Sequence, residues 1–171
     1  MNDAENPTVK LRAVQPDDIP ILHQHQLSPE ANWMAAFTAE DWDDIEVFTA
    51  HWSRLLANDA SGNRTILCGD QVAGSVLKFE QFGQPSVSYW LGPEFWGRGV
   101  MTRALTLFLE QIDERPLYAR VVKDNIGSRR VLEKCGFRIV GEDSGFANAR
   151  DAEVEEYILE LVDSRGQGAC T

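Results

Sequence analysis

Apolar positions recur along this chain with two periods, and the switch between them marks the elements. Val9 to Val14 alternates with a period of two and stops at Pro16, which predicts a first strand. Asp17 or Asp18 caps a predicted helix that runs to about Leu27 and breaks at Ser28-Pro29. From Thr38 or Asp41 to Ala57 the residues Trp42, Ile45, Phe48, Thr49, Trp52, Leu55 and Leu56 share one helical face. Thr38 and Asp41 stand there as an acidic variant of the capping box. Asn58 to Asn63 reads as a polar turn. Arg64 to Cys68 and Val72 to Phe79 predict a hairpin turning at Gly69-Asp70. Ser86 to Leu91 predicts a strand that leads into a glycine loop, and a helix with Ala104, Leu105, Leu107, Phe108 and Ile112 inward follows. Leu117 to Val122 reads as a buried strand. Asn125 caps a helix through Lys134 that Gly136 terminates, and Phe137 to Gly141 and Val154 to Val162 are the last strands.

The order β-α-α-β-β-β-α-β-α-β-β predicts an α/β (α+β) domain. Its sheet is mixed, mostly antiparallel and twisted, with six to seven strands and about four helices on both faces. A single domain over residues 9–163 is expected, with a flexible N-terminus (1–8) and a disordered tail (164–171). The chain has 171 residues, 43% of them hydrophobic and 25% charged, enough to bury a real core. No stretch of about 18 apolar residues is present, so no membrane span is expected. Cys68, Cys135 and Cys170 lack C-x-x-C spacing and read as free thiols in a reducing cytoplasm. His23, His25 and His51 show no metal spacing with carboxylates, and no metal is expected.

The chemistry concentrates in Trp96-Gly97-Arg98-Gly99-Val100-Met101-Thr102-Arg103. Two glycines one residue apart leave the backbone bare where a helix begins. That helix end offers four N–H groups without internal partners and the positive end of the peptide dipoles. A strand, a glycine loop and a helix thus make an anion cradle suited to a nucleotide-like pyrophosphate. The spacing is neither the G-x-G-x-x-G dinucleotide fingerprint nor a P-loop. Charge supports an anionic ligand. Net charge is −11, which makes nucleic acid a poor partner. Residues 98–134, however, hold eight Lys/Arg against five Asp/Glu, a balance of +3, which leaves −14 for the remainder.

The order of elements, the loop Trp96 to Thr102 and the stretch Asn125-Ile126-Gly127-Ser128-Arg129-Arg130-Val131-Leu132-Glu133-Lys134-Cys135-Gly136-Phe137 resemble the GNAT superfamily of acyl-CoA-dependent N-acetyltransferases. The resemblance is nearest to the Rim-type branch, which includes acetyltransferases of ribosomal-protein N-termini. That branch shows a Tyr-Trp-Leu-Gly strand end, a Trp-Gly-x-Gly loop, and Asn-x-x-Ser before a helix ending Glu-Lys-x-Gly-Phe. All occur here in order over residues 89–137, and with flanking strands the likeness spans about 9 to 162.

The resemblance implies acetyl-CoA as co-substrate. Backbone N–H groups of Gly97, Arg98, Gly99, Val100, Met101 and Thr102 would hold the coenzyme A pyrophosphate, with Arg98 and Arg103 helping to neutralise it. Tyr89, Trp90 and Leu91 would splay from the strand Leu117 to Val122 and pair with the pantetheine arm. The Leu91 backbone N–H would face the thioester carbonyl and stabilise the oxyanion. Asn125 would bind the arm and orient its helix, and Ser128 would stand near the sulfur as the acid for the departing thiolate. Met101 replaces the family's Gly or Ala and must point its side chain away. The family's tyrosine acid falls at Leu132. The strand glutamate falls at Ser86, which leaves Glu80 as a candidate general base by residue type.

The implied reaction is direct attack of a neutral amine on the thioester in a ternary complex. An acyl-cysteine route through Cys135 lacks an activating histidine. Trp33 and Phe37 are candidates for an apolar acceptor slot, and Trp42 fits the core face of its helix. Residues 1–62 carry eleven Asp/Glu against three Lys/Arg, a balance of −8 that suits a cationic acceptor. That acceptor is a protein or peptide N-terminus or a small-molecule amine, and the enzyme works as a monomer or homodimer. A non-catalytic acyl-CoA-binding or sensing module on the same fold is the alternative.

Overall fold

Every neighbouring pair of strands in the seven-stranded sheet is antiparallel except one, and that exception sits at the middle. The computed structural model describes residues 7–57 and 62–162. In chain order the elements are β1 (Val9–Arg12), α1 (Ile19–Gln26), α2 (Pro29–Ala35), α3 (Ile45–Ala57), β2 (Asn63–Cys68), β3 (Gln71–Gln81) and β4 (Gln84–Leu91). Then come α4 (Val100–Glu110), β5 (Leu117–Val122), α5 (Ile126–Lys134), β6 (Arg138–Ala147) and β7 (Ala152–Leu161). The sheet order is β1-β2-β3-β4-β5-β7-β6. β4 and β5 run parallel and share a single register position, Ser86 opposite Tyr118. Beyond it the two strands diverge, so the sheet forks toward Leu91. The expected mixed sheet with helices on both faces is present, and the described residues form five α-helices.

The alternation of each strand sorts its side chains to two cores. On one face α4 and α5 cover Val76, Val87, Ala119 and Leu159 with Leu105, Phe108 and Leu132. On the other, α1 and α3 cover Val72 and Leu77 with Leu22, Phe48 and Trp52. Tyr89 and Leu91 belong to the α4–α5 side. Their neighbours Ser88 and Trp90 point to the α1–α3 side, because a strand reverses direction at each residue. Asp18 ties the start of α1 to the neighbouring strands β1 and β2. Its buried carboxylate accepts from Arg12 (2.6 and 2.8 Å), from the Gln15 N–H (2.8 Å) and from the Thr65 hydroxyl (2.8 Å).

Several boundaries differ from expectation, four of them for reasons visible in the structure. α3 starts at Ile45, not near Thr38 or Asp41, because the Asp44 carboxylate caps it by accepting from the Glu46 and Val47 N–H groups (2.8 and 3.3 Å). Trp42 therefore lies in the preceding turn and not on the helix core face. Ser28 does not merely break α1. Its hydroxyl accepts from the Ala31 N–H (3.2 Å) and starts α2, with Pro29 in the first turn. Asn63 opens β2 instead of closing a turn, and β6 continues past Gly141 to Ala147. Residues 58–61 of the expected polar turn, the ends 1–6 and 163–171, and Cys170 lie outside the described residues. Among the described residues no helix is long and apolar enough to cross a membrane.

Candidate active site

The fork places two different surfaces against one strand. At the open end of β4, Gly92 donates to the Ala73 carbonyl (2.8 Å), and a 3-10 turn at Pro93–Phe95 carries the chain to the glycine loop. The Trp96 indole N–H donates to the Leu91 carbonyl (2.9 Å), which pins the loop to the strand end. His25 packs under the same junction. Its ring would lie 2.7 Å from a Cβ at Gly92, its Nε2 is 3.6 Å from Glu94, and Phe95 meets it edge-on. Burial pulls the His25 pKa down against the opposing field of Glu94, so the ring supports the loop in its neutral form.

Gly97 and Gly99 both adopt φ +72, the left-handed region that side chains resist. Gly99 is the N-cap of α4 and supplies no side-chain cap. A Cβ at either glycine would meet no heavy atom within 4 Å, so the space above the helix mouth is open. Val100 and Met101 turn their side chains into the core, 1% and 5% exposed, and so stay out of that space. The large residue at 101 is thus accommodated below the helix, not in the cradle. These features fit a diphosphate: helix-end amides, a positive dipole end and two glycines with open space above them. Arg98 is exposed beside the loop, its guanidinium 5.9 Å from the Phe95 ring centroid. Arg103 is directed elsewhere and donates to the Pro7 carbonyl (2.5 Å).

On the α5 side of the fork, Asn125 and Ser128 come together as a cap. The Asn125 Oδ1 accepts from the Ser128 N–H (3.2 Å), and its Nδ2 donates to the Met34 carbonyl of α2 (3.4 Å). The Tyr89 phenol reaches across from β4 to within 2.6 Å of the Ser128 hydroxyl. The sequence alone suggests only a backbone role for Tyr89, because its partner lies 39 residues away. Cys135 is half-buried against Thr106 and Thr102, and burial raises its thiol pKa despite the Thr106 contact, the wrong direction for a nucleophile.

On the opposite face, beside Val87 and Ser88, opens a cleft of ≈ 510 Å³. Phe37, Phe79, Phe82 and Phe146 supply its apolar walls. Its polar groups are Arg120 of β5, Asp143 of β6 and Glu156 of β7. Arg120 donates to Asp143 (2.8 Å) and Glu156 (2.7 Å), and its guanidinium lies 4.7 Å from the Phe82 ring centroid. Two carboxylates against one guanidinium leave the cleft with an excess negative charge. The Arg120 hydrogen bond holds the Asp143 carboxyl below its ordinary pKa. Phe37 lines this cleft. Trp33 is outside it, with Arg150 4.9 Å from its ring centroid and donating to its carbonyl (3.0 Å). Glu80 is exposed near the β3–β4 turn, on the sheet face opposite Phe79, and so away from the cleft. Sequence reasoning missed Arg120, Asp143 and Glu156, which lie on three strands and meet only through cross-strand register. Among the described residues no group of three His, Cys, Asp or Glu can hold a metal.

The acetyltransferase (GNAT) domain family matches residues 8–138. No curated protein matches the sequence. Among solved structures, Mycobacterium smegmatis RimJ in complex with CoA-disulfide superposes with TM-score 0.76 at 20% identity, covering 90% of this chain and 81% of that one. Spermidine N-acetyltransferase from Vibrio cholerae, in complex with CoA and spermine, gives TM-score 0.76 at 18% identity, covering 92% and 96%. The microcin C7 self-immunity acetyltransferase MccE, in complex with acetyl-CoA and AMP, gives 0.75 at 17%, covering 93% and 94%. The family match spans most of the folded domain, including the forked strands and the glycine loop, and the chain therefore belongs to the GNAT acetyltransferases, enzymes that take an acetyl group from acetyl-CoA and place it on an amine.

Proposed function

We propose that this enzyme acetylates a primary amine that enters the Phe-lined acidic cleft as a cation and meets the thioester through the fork between β4 and β5. One observation carries the reading. The amide cradle and the Tyr89–Ser128 pair lie toward the α4–α5 side of β4, and the cleft lies on its other side. Two reactants held on opposite faces of a split sheet approach each other without crossing a side-chain layer. Bound together they react as one complex, with no covalent enzyme intermediate.

In this reading the amides from Gly97 to Thr102 hold the pyrophosphate of acetyl-CoA, with Arg98 alongside. The strand Tyr89–Trp90–Leu91 receives the pantetheine arm, the Leu91 N–H stabilises the oxyanion, and Asn125 orients α5. Asp143 and Glu156 attract the incoming ammonium, and Phe37, Phe79, Phe82 and Phe146 pack its apolar neighbour. The likeness in motifs supports placement in the Rim-type branch. The acidic cleft is as compatible with a peptide N-terminus as with a small cationic amine. Free Cys68 and Cys135 support work in a reducing cytoplasm.

Thiol release from acetyl-CoA tests this with an acceptor panel. The panel comprises peptides starting with Ala, Ser, Asp, Phe or Leu, polyamines, and aminoglycosides. Turnover is expected with primary amines bearing an apolar group near the nitrogen. Binding of CoA without turnover on any acceptor would refute the catalytic reading.

A further inference from the structure

The Tyr89 phenol and the Ser128 hydroxyl lie 2.6 Å apart, and the phenol O–H also donates to the Ser128 carbonyl at the longer distance of 3.2 Å, so its proton is shared between the two Ser128 oxygens. Tyr89 is anchored in β4, two residues before Leu91 and on the same side of the strand. Ser128 stands in the first turn of α5, where the dipole of a nine-residue helix is positive, and its N–H is held by Asn125. Tyr89 is the one side-chain partner of the Ser128 hydroxyl among the described residues. When Tyr89 donates to that oxygen, the serine proton is left for a third atom. Ser128 is only half-buried, so its hydroxyl is open to an atom from outside.

We propose that Tyr89 is a positioning residue: its phenol fixes the Ser128 hydroxyl so that the O–H donates to the coenzyme A sulfur and the thiol leaves as a hydrogen-bonded thiolate. This rests on the acetyltransferase site described above. In the step itself the amine lone pair forms the C–N bond and the C–S bond breaks. Both electrons of that bond pass to sulfur; the ammonium loses one proton to solvent to free its lone pair, and the acylated nitrogen loses the second. The thiolate takes its proton from water after release, so the enzyme surrenders none. Burial pushes the Tyr89 phenol above its ordinary pKa, outweighing the Ser128 hydrogen bond, so the phenol donates without ionising. The positive end of α5 acts on the same sulfur.

The test needs no acceptor. The thiolate absorbance of CoA near 240 nm is titrated against pH in the binary complex with wild type, Tyr89→Phe and Ser128→Ala. One charge-assisted hydrogen bond corresponds to about a tenfold change in the acid dissociation of the bound thiol. Wild type is expected to ionise bound CoA about tenfold more readily than either variant. The two variants should agree, and CoA affinity at a pH where the thiol is protonated should change less than about twofold. Thermal melts verify that both variants fold, and Ser128→Ala reports on the hydroxyl even if Tyr89→Phe does not. A wild-type-like titration in Tyr89→Phe overturns the positioning role, and equal titrations in all three overturn the hydroxyl–sulfur contact. Failure of the wild type to bind CoA would instead overturn the underlying site, and this proposal with it.

Discussion

Replacing Gly99 by alanine separates the conformational role of the glycine from its role in ligand binding. At φ +72 a side chain pays a left-handed penalty of about 1–2 kcal/mol. For a chain of this size that lowers Tm by roughly 2–8 °C. Nothing within 4 Å obstructs the new methyl group, so no steric loss is added. The methyl projects into open space at the helix mouth and holds a phosphate away from the amides. Loss of one charge-assisted hydrogen bond costs about 1.5–3 kcal/mol, which weakens CoA about tenfold to a hundredfold. Gly83 provides the control. It has φ +75 with equally open surroundings but sits in the β3–β4 turn. Gly83→Ala should show the same drop in Tm and keep wild-type CoA affinity. Calorimetric titration with CoA and a thermal melt on both variants decide the matter. Equal CoA affinities in the two variants would refute the cradle.

Gly74→Ala would bring a Cβ to 2.0 Å from the Trp90 carbonyl oxygen and 3.0 Å from the Leu91 Cα, so backbone must move. Overpacking of this kind costs about 1–3 kcal/mol, and the shift should lower kcat through the displaced Leu91 N–H; an unperturbed melt and rate would contradict it. Asp18→Asn leaves Arg12 without its carboxylate and should cost about 2–3 kcal/mol in denaturant unfolding, with Arg12 partly solvated. Burial raises the Asp18 pKa, but Arg12, the Gln15 N–H and Thr65 outweigh it and hold the carboxyl below its ordinary 3.8. Its stabilisation is therefore complete above that value and lost as pH falls through the lowered one. The acid limb of the stability curve should be flatter in Asp18→Asn. Glu156→Gln removes a cleft charge at nearly constant shape and should raise KM for a cationic acceptor about tenfold while sparing KM for acetyl-CoA. A change confined to acetyl-CoA would place the acceptor elsewhere.

Local chemistry made half of the site legible in the sequence. Gly97 and Gly99 announce a bare loop before an amphipathic helix, and Asn125 announces a cap, because such signals act within one turn of chain. The antiparallel hairpin and the order of elements follow from short-range alternation. Ser28-Pro29-Glu30 carries both signals at once, a break after α1 and an N-terminal start for α2, and local sequence does not separate them. What escaped is carried by register. Arg120, Asp143 and Glu156 meet because β6 and β7 pair Asp143 with Glu156, and β5 and β7 pair Val122 with Glu156. No local periodicity encodes those pairings. β6 is an edge strand exposed along most of its length, so it lacks the apolar alternation that would have revealed its extent. Tyr89 illustrates the same limit. Its strand was recognised, yet its partner lies 39 residues away on α5.

The lone rung at Ser86 and Tyr118 makes the sheet two half-sheets, hinged by little backbone bonding. A pantetheine arm lying in the gap would act as a guest strand and stitch the halves together. Donor occupancy then becomes a contribution to folding: at a hundredfold excess over Kd it adds about 2.7 kcal/mol. The resistance of such a protein to proteolysis would then rise with the supply of its own acyl donor.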